Sequence, residues 1–170
     1  SKCVLFKVHK RYPMHMNDIL ILYYSKNDST KKMARAIARG IESSNLASSS
    51  IRTVHSDSYK ESDDILVTKE DLKKCSGMII GSPTHFGNMA APLKAFFDST
   101  TDEWFNNTLE SKLGGVFTST SSMHGGQETT LISMMMPLIH HGMIIAGVPY
   151  SEKNLSSTIS GGTPYGPSHV

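Results

Sequence analysis

Apolar and polar residues follow one another in blocks along the chain, and the blocks predict strands that alternate with helices. Residues 19–24, ILILYY, form a continuous apolar run that is typical of a strand buried on both faces. In residues 29–44 the apolar positions recur every four residues, as they do on one face of a helix. Ser29 or Thr30 can cap the amino end of this helix.

The rest of the chain continues the same alternation. Thr68 and Asp71 have capping-box spacing, which indicates a short helix through Lys74. Further strands are predicted at residues 51–56, 77–82, 114–120 and 143–150, and further helices at residues 90–100 and 127–142. Alternating strands and helices favour a parallel sheet with right-handed crossovers. The predicted fold is a doubly wound α/β domain with five strands and helices on both faces.

Composition narrows the class of protein. The 170 residues fit one domain, and the two cysteines lack metal-ligand or redox spacing, which is typical of a reduced, cytoplasmic protein. The formal charge of +2 is scattered, so no nucleic-acid face is expected. No apolar run approaches the roughly 20 residues that span a membrane. Residues 1–17 are interpreted as an extension or a remnant of cloning, with an extra arm as the alternative, and residues 18–170 as the domain.

Three of the predicted strands end in loops rich in small, hydroxylated and glycine residues. Because parallel strands end at the same edge of a sheet, these loops should gather there. The first strand is followed by Ser25, Lys26, Asn27, Asp28, Ser29 and Thr30. The third is followed by Pro83, Thr84, His85, Phe86 and Gly87. The fourth is followed by Ser119, Thr120, Ser121, Ser122, Met123, His124 and Gly125.

The first of these loops runs into a helix amino terminus, where backbone N–H groups and hydroxyls can bind a phosphate without any cationic side chain. The alternative is that Ser29 and Thr30 only cap the helix. No G-x-x-x-x-G-K-[ST] or G-x-G-x-x-G motif is present, and the loop has no nucleophilic cysteine. The remaining candidate ligand is a mononucleotide, bound at the switch point between the first and third strands. This is the position at which the flavodoxin fold binds FMN.

Several segments together resemble the WrbA family of flavodoxin-like NAD(P)H:quinone oxidoreductases. They are YYS with its hydroxyl-rich turn, GSPTHFGNM, FDSTTDEW, FTSTSSMHGGQETT, IHHGM and GGTPYG. The resemblance extends from about Ile19 to the end of the sequence. It implies an FMN-dependent enzyme that passes two electrons from NAD(P)H to a quinone by ping-pong hydride transfer, and that assembles as a homotetramer.

The resemblance also implies roles for the three loops. The loop from Ser25 to Thr30 would bind the FMN phosphate, the backbone amides of residues 84–86 would bond the edge of the isoalloxazine ring, and Ser119 to Gly125 would wrap its other side. His140 would reach a neighbouring subunit's flavin site, and Trp104 would form part of the wall against which quinone stacks. Since the flavin carries the chemistry, no catalytic side chain is expected.

Trp104 and the pair His140–His141 also have a purely structural interpretation. Trp104 can be a half-buried packing residue. His140 and His141 can stabilise a helix carboxyl end that Gly142 terminates. Adjacent histidines point to different faces of a helix and no third ligand is evident, so no metal site is expected.

The sequence also departs from the family pattern. Asp28 stands where relatives usually have glycine, so a carboxylate sits beside the expected phosphate. Asn27 replaces a frequent aromatic residue near the nicotinamide, and relatives continue past GGTPYG into a last helix. A flavodoxin-type single-electron carrier and a non-catalytic scaffold protein are therefore kept as alternatives. Carriers of that type are typically acidic, whereas this chain is slightly basic.

Overall fold

The computed structural model describes residues 17–56 and 63–170. The predicted extension over residues 1–17 lies outside these ranges except for Asn17, which begins the first strand. Residues 57–62, between the second predicted strand and the capping box, also lie outside the described residues.

The sheet is parallel, and its strands lie in the order β2-β1-β3-β4-β5. A sixth short strand, β6, pairs with β4. The order confirms the predicted doubly wound, flavodoxin-like fold, in which β1 and β3 flank the switch point. The strands are β1 (Asn17–Tyr23), β2 (Ala47–Thr53), β3 (Gly77–Pro83), β4 (Leu113–Ser119), β5 (Ile144–Ile145) and β6 (Ser168–His169).

Helices cover both faces of the sheet because successive residues of each strand point to opposite sides. On one side, Ile21 and Tyr23 pack with Ala34 and Ala38 of α1. On the other side, Leu20 and Leu22 join a larger core made with α2, α3 and α5. The helices are α1 (Ser29–Ser43), α2 (Lys69–Lys74), α3 (Ala91–Asp98), α4 (Thr101–Phe105), α5 (Gln127–His140) and α6 (Asn154–Ser157).

The close packing of β3 on β4 depends on one glycine. A Cβ atom at Gly81 would lie 2.1 Å from the ring of Phe117, which is fully buried. Glycine at this position therefore makes room for the aromatic ring in the core.

The structure confirms the predicted cap of α2, shifts the second strand and adds three short elements. The capping box of α2 is confirmed, since the Thr68 hydroxyl accepts from the Asp71 amide while the Asp71 side chain accepts from the Thr68 amide. The second strand begins four residues earlier than predicted and ends at Thr53. The structure adds α4, α6 and β6, which the apolar pattern did not reveal.

The fifth predicted strand, residues 143–150, is wrong over most of its length. Only Ile144 and Ile145 pair with β4. A Cβ atom at Gly147 would lie 2.4 Å from the carbonyl oxygen of Pro164, and the Val148 N–H donates to that oxygen, so this stretch packs against the later GGTPYG segment. Residues 168–169 pair instead with Thr118 and Ser119 at the carboxyl end of β4.

An apolar groove of about 290 Å³ opens on the α1 side of the sheet. Its walls include Ile19, Ile37, Ile41, Ile79 and Val116. This is the kind of uncovered surface expected on a parallel sheet that has one face partly bare. Within the described part of the chain, no helix has both the length and the apolar character that crossing a membrane requires.

Candidate functional site

The three predicted loops meet at the carboxyl edge of the sheet and enclose a cleft of about 240 Å³. Its lining residues come from all three loops: Ser25, Lys26, Asn27, Ser29, Thr30, Pro83, Thr84, His85, Ser119, Thr120 and Ser121. Most of these side chains carry hydroxyl or amide groups, so the cleft offers many neutral hydrogen-bonding atoms. The other residues predicted for the cofactor site, which are Asp28, Phe86, Gly87, Ser122, Met123, His124, Gly125 and His140, do not line it.

The amino end of α1 forms one end of the cleft, and no side chain caps it. The predicted cap by Ser29 or Thr30 is wrong, because the N-cap position is Asp28, whose left-handed backbone (φ 62°) leaves its carboxylate without a capping bond. Instead the Thr30 hydroxyl lies 2.9 Å from the Ser119 hydroxyl across the cleft. Within the described residues, the backbone N–H groups of Ser29, Thr30 and Lys31 have no acceptor.

These uncapped amides make the α1 end a site for an anion. Four N–H groups at a helix start lack intrahelical partners, and the helix dipole adds partial positive charge there. The hydroxyl oxygen of Ser25, which lines the cleft, is buried and also has no hydrogen-bond partner. A buried hydroxyl beside unpaired amides suits an oxyanion that accepts from all of them.

The loop after β3 is a two-residue hairpin turn. His85 and Asn88 exchange two backbone hydrogen bonds, of 2.9 and 3.1 Å, and the residues between them, Phe86 and Gly87, both have positive φ. Positive φ at both central positions defines a type I′ turn. Phe86 is strained there, and its side chain is fully exposed. The ring of Tyr24 meets the His85 ring edge-on, with centroids 6.4 Å apart.

Two of the backbone amides predicted to donate to the isoalloxazine ring donate instead to carbonyl groups of the protein. The Thr84 N–H donates to the Ser119 carbonyl at 2.8 Å, and the His85 N–H donates to the Asn88 carbonyl at 2.9 Å. Among the described residues, the N–H groups of Phe86 and Gly87 have no acceptor. Backbone donors from this loop to a ligand would therefore come from Phe86 and Gly87.

The loop after β4 is held by a segment that sequence reasoning did not assign to the cleft. The Thr118 and Thr120 amides donate to the carbonyls of Pro167 and His169, at 3.0 and 2.9 Å. Ser168 donates its hydroxyl proton to Gln127 Oε1 at 2.8 Å, and both side chains are buried. In the sequence, the signal for this contact was the three glycines of GGTPYG. All three have positive φ, a conformation that is costly for other residues, so glycine there indicates a tight turn or a close approach of two segments.

Trp104 and His140 lie together but away from the cleft of their own chain. The Trp104 indole N–H donates to the His140 carbonyl at 2.9 Å. Both residues line a separate cavity of about 560 Å³ that also includes Met89, Phe97 and Met136. Trp104 is about half exposed, so the indole presents a free apolar face to any molecule that enters this cavity.

His141, the neighbour of His140, is buried in that region. Its Nε2 lies 2.8 Å from the Thr100 hydroxyl, which itself donates to the Phe97 carbonyl at 2.6 Å, so Nε2 carries the proton. Burial lowers the pKa of His141; Glu103 opposes this shift, while Lys69 adds to it. The residue is therefore a neutral structural contact between α5 and α4. No cluster of three or more metal-ligating side chains occurs in residues 17–56 and 63–170.

The sequence profile of the NADPH-dependent FMN reductases matches residues 18–153. The chain belongs to this family. It is 39% identical over 166 residues to a protein named NAD(P)H dehydrogenase (quinone) from Chromohalobacter salexigens, covering 89% of this chain and 82% of that one. It is 42% identical over 165 residues to the protein of the same name from Paracoccus denitrificans, covering 90% and 79%.

Solved structures agree with the fold of this FMN reductase family member. A flavodoxin, WrbA-like protein from Agrobacterium tumefaciens superposes with a TM-score of 0.63 at 23% identity, over 76% of this chain and 82% of that one. At this identity the likeness concerns the fold alone. The sheet edge that carries the cleft is thus the edge at which flavodoxin-like proteins have their switch point.

Proposed function

We propose that this protein is an FMN-dependent NAD(P)H:quinone oxidoreductase of the WrbA type, which works by a ping-pong mechanism. The observation that carries the proposal is the uncapped amino end of α1, with its unpaired amides and the buried Ser25 hydroxyl, opening into a cleft of neutral hydroxyls. When bound, FMN would supply hydride chemistry between NAD(P)H and the quinone. The protein's own residues bind, orient and shield it.

The hydrogen-bond donors at the phosphate end of the cleft suit the phosphate group of FMN. The amides of Ser29, Thr30 and Lys31 and the hydroxyl of Ser25 can all donate to phosphate oxygens. Asp28 opposes this arrangement, because its carboxylate sits at the N-cap position of the same helix. Its left-handed backbone nevertheless allows the loop to turn sharply into α1.

The ring end of the cleft is formed by the turn after β3 and the loop after β4. Phe86 and Gly87 do not line the cleft, but their turn continues directly from the lining residue His85, and their unpaired amides would supply donors to the edge of a flat ring that extends beyond the cleft. Ser119, Thr120 and Ser121 line the opposite wall. This arrangement supports a role for the protein in fixing the orientation of the ring and limiting the access of water to it.

A homotetramer would reconcile the proposed roles of Trp104 and His140 with their position outside their own cleft. In this proposal the two residues complete the site of a neighbouring subunit, where Trp104 offers an aromatic face to the quinone. Their mutual hydrogen bond of 2.9 Å would fix the orientation of the indole in that shared site. The cytoplasmic location is likewise a prediction.

The deciding experiment is a titration of the purified apo-protein with FMN, followed by flavin absorbance and fluorescence, with NADH and then benzoquinone added to the same cuvette. Saturable binding, bleaching of the flavin by NADH and recovery with quinone are expected. Binding without NADH oxidation would favour a single-electron carrier instead. Absence of binding at millimolar FMN would reject the enzyme and favour a non-catalytic protein.

A further inference from the structure

A row of threonine hydroxyls runs beneath the cleft from α5 to β3. Thr130 Oγ1 lies 3.1 Å from Thr84 Oγ1, which lies 3.3 Å from Thr118 Oγ1, which in turn lies 2.8 Å from the Ser82 carbonyl oxygen. Thr118 and Thr130 are completely buried, whereas Thr84 lines the cleft. The row therefore connects the buried core to one side chain in the wall of the site.

Counting protons fixes the direction of the row. A carbonyl only accepts, so Thr118 uses its single hydroxyl proton on Ser82. The contact between Thr118 and Thr84 then requires the Thr84 proton, and Thr84 in turn accepts from Thr130. All three protons point the same way, from α5 toward β3, and such chains strengthen each bond within them.

This direction leaves Thr84 with one remaining lone pair and no proton to offer. Its backbone N–H is also used, since it donates to the Ser119 carbonyl at 2.8 Å. Thr84 is thus held by two elements, β4 through Thr118 and Ser119 and α5 through Thr130, with the polarity of its hydroxyl already set. Toward the cleft it can only accept a hydrogen bond.

We propose that Thr118, which uses its own proton on Ser82, makes Thr84 a hydrogen-bond acceptor toward the cleft, that Thr130 holds the Thr84 hydroxyl in place as a positioning residue, and that Thr84 binds a donor of the cofactor. This inference rests on the proposed FMN site. Oxidised FMN has two kinds of donor beside its phosphate, the ring N3–H and the ribityl hydroxyls. A carbonyl or unprotonated ring nitrogen facing Thr84 would find no donor there.

The test uses four variants and two ligands. Thr84→Val and Thr130→Val remove a hydroxyl with little change of shape, Thr130→Ser retains it, and Thr129→Val is the control. Thr129 is the exposed neighbour of Thr130, and its hydroxyl bonds only within its own helix turn, to the Gly126 carbonyl. Each variant is titrated with FMN and with N3-methyl-FMN, and its thermal unfolding is measured to establish that it folds.

Thr84→Val and Thr130→Val are expected to weaken FMN binding about fivefold, which is the size of one net hydrogen bond. Thr130→Ser and Thr129→Val should stay within about twofold of the parent. If the donor is N3–H, N3-methyl-FMN should bind weakly to the parent, and Thr84→Val should remove the preference for FMN. If the donor is a ribityl hydroxyl, the preference should be the same in both proteins.

Three results would overturn the inference in distinguishable ways. If the parent binds FMN and Thr84→Val and Thr130→Val bind it equally well, the acceptor role is wrong while the proposed function stands. If the parent fails to bind FMN at all, both fall together. If Thr130→Ser loses as much FMN affinity as Thr130→Val, the inference is also rejected, because the hydroxyl of residue 130 would then not be the group that supports binding.

Discussion

Gly87 and Gly126 approach so closely that a Cβ atom on Gly126 would lie 2.9 Å from the Cα atom of Gly87. The first glycine belongs to the turn after β3 and the second precedes α5. Their contact joins the two loops that form the ring end of the cleft. Gly126 also has a φ of 90°, a conformation that other residues rarely adopt.

Gly126→Ala is expected to weaken FMN binding by tenfold or more. The added methyl group would separate the two loops, and the left-handed backbone would add strain of about 1–2 kcal/mol. The measurement is the FMN dissociation constant by fluorescence, together with the melting temperature. Gly40→Ala is the matched control, because Gly40 lies within α1 with open space around it. That control should bind FMN normally and melt slightly higher, and equal affinities in the two variants would contradict the role of the glycine contact.

Replacing Asp28 should tighten FMN binding by up to about tenfold, because a negative charge next to the phosphate site is removed. Asp28→Asn keeps a residue that tolerates positive φ, whereas Asp28→Gly removes both charge and backbone strain. The measurement is the dissociation constant at low and high salt. If charge is the cause, both variants should gain equally and the gain should shrink with salt. A gain in Asp28→Gly alone would assign the effect to the backbone, and Glu42→Gln at the other end of α1 should change nothing.

Trp104→Ala is expected to raise the Michaelis constant for quinone about three- to tenfold, the range for loss of an aromatic contact. FMN affinity should change by less than twofold, since Trp104 does not line the cleft of its own chain. Phe105→Ala is the control for apolar area, because Phe105 is exposed on the same helix. A larger effect on FMN affinity than on the quinone constant would reject the assignment.

The proposed sharing of sites between subunits can be checked by mixing variants. Trp104→Ala has an intact cleft, and Gly126→Ala has an intact Trp104. Refolding the two together should produce some sites with a normal cleft and a normal indole. Activity above the sum of the separate variants is expected, and strict additivity would reject a site completed by a neighbour.

Much of the fold was predictable because β1 and β3 contain continuous apolar runs and the loops after β1, β3 and β4 are marked by glycine and hydroxyl residues. Most of the fifth predicted strand was not predictable, because Gly147 lies against the carbonyl of Pro164, a contact that no local pattern reveals. The gathering of the three loops followed from parallel strands ending at one edge. The orientation of the Thr84 hydroxyl and the use of its amide depended on partners more than 30 residues away, which periodicity does not reveal.

The buried thiol of Cys75 should make stability fall at alkaline pH. Burial raises its pKa from 9.0 to about 11, so the folded state favours the protonated thiol. The stabilisation of the folded state by the protonated thiol is fully present below the pKa that Cys75 has in the unfolded chain. It is lost as the pH rises from about 9 to 11. Its upper limit is about 3 kcal/mol. Urea unfolding at pH 8 and pH 10.5 should show a smaller loss for Cys75→Ala than for the parent, and equal losses would contradict the assignment.

The pairing of β6 with β4 has a consequence for synthesis on the ribosome. Ser168 meets Gln127 across 41 positions of sequence, and the amides of residues 118 and 120 find their acceptors only at residues 167 and 169. The central strands can therefore associate while the far wall of the cleft still lacks its partners, since domains form contacts in the order in which the chain emerges. A nascent chain paused before residue 167 would have the central strands without these contacts, so the wall of the cleft is completed only after residues 167–169 have docked on β4.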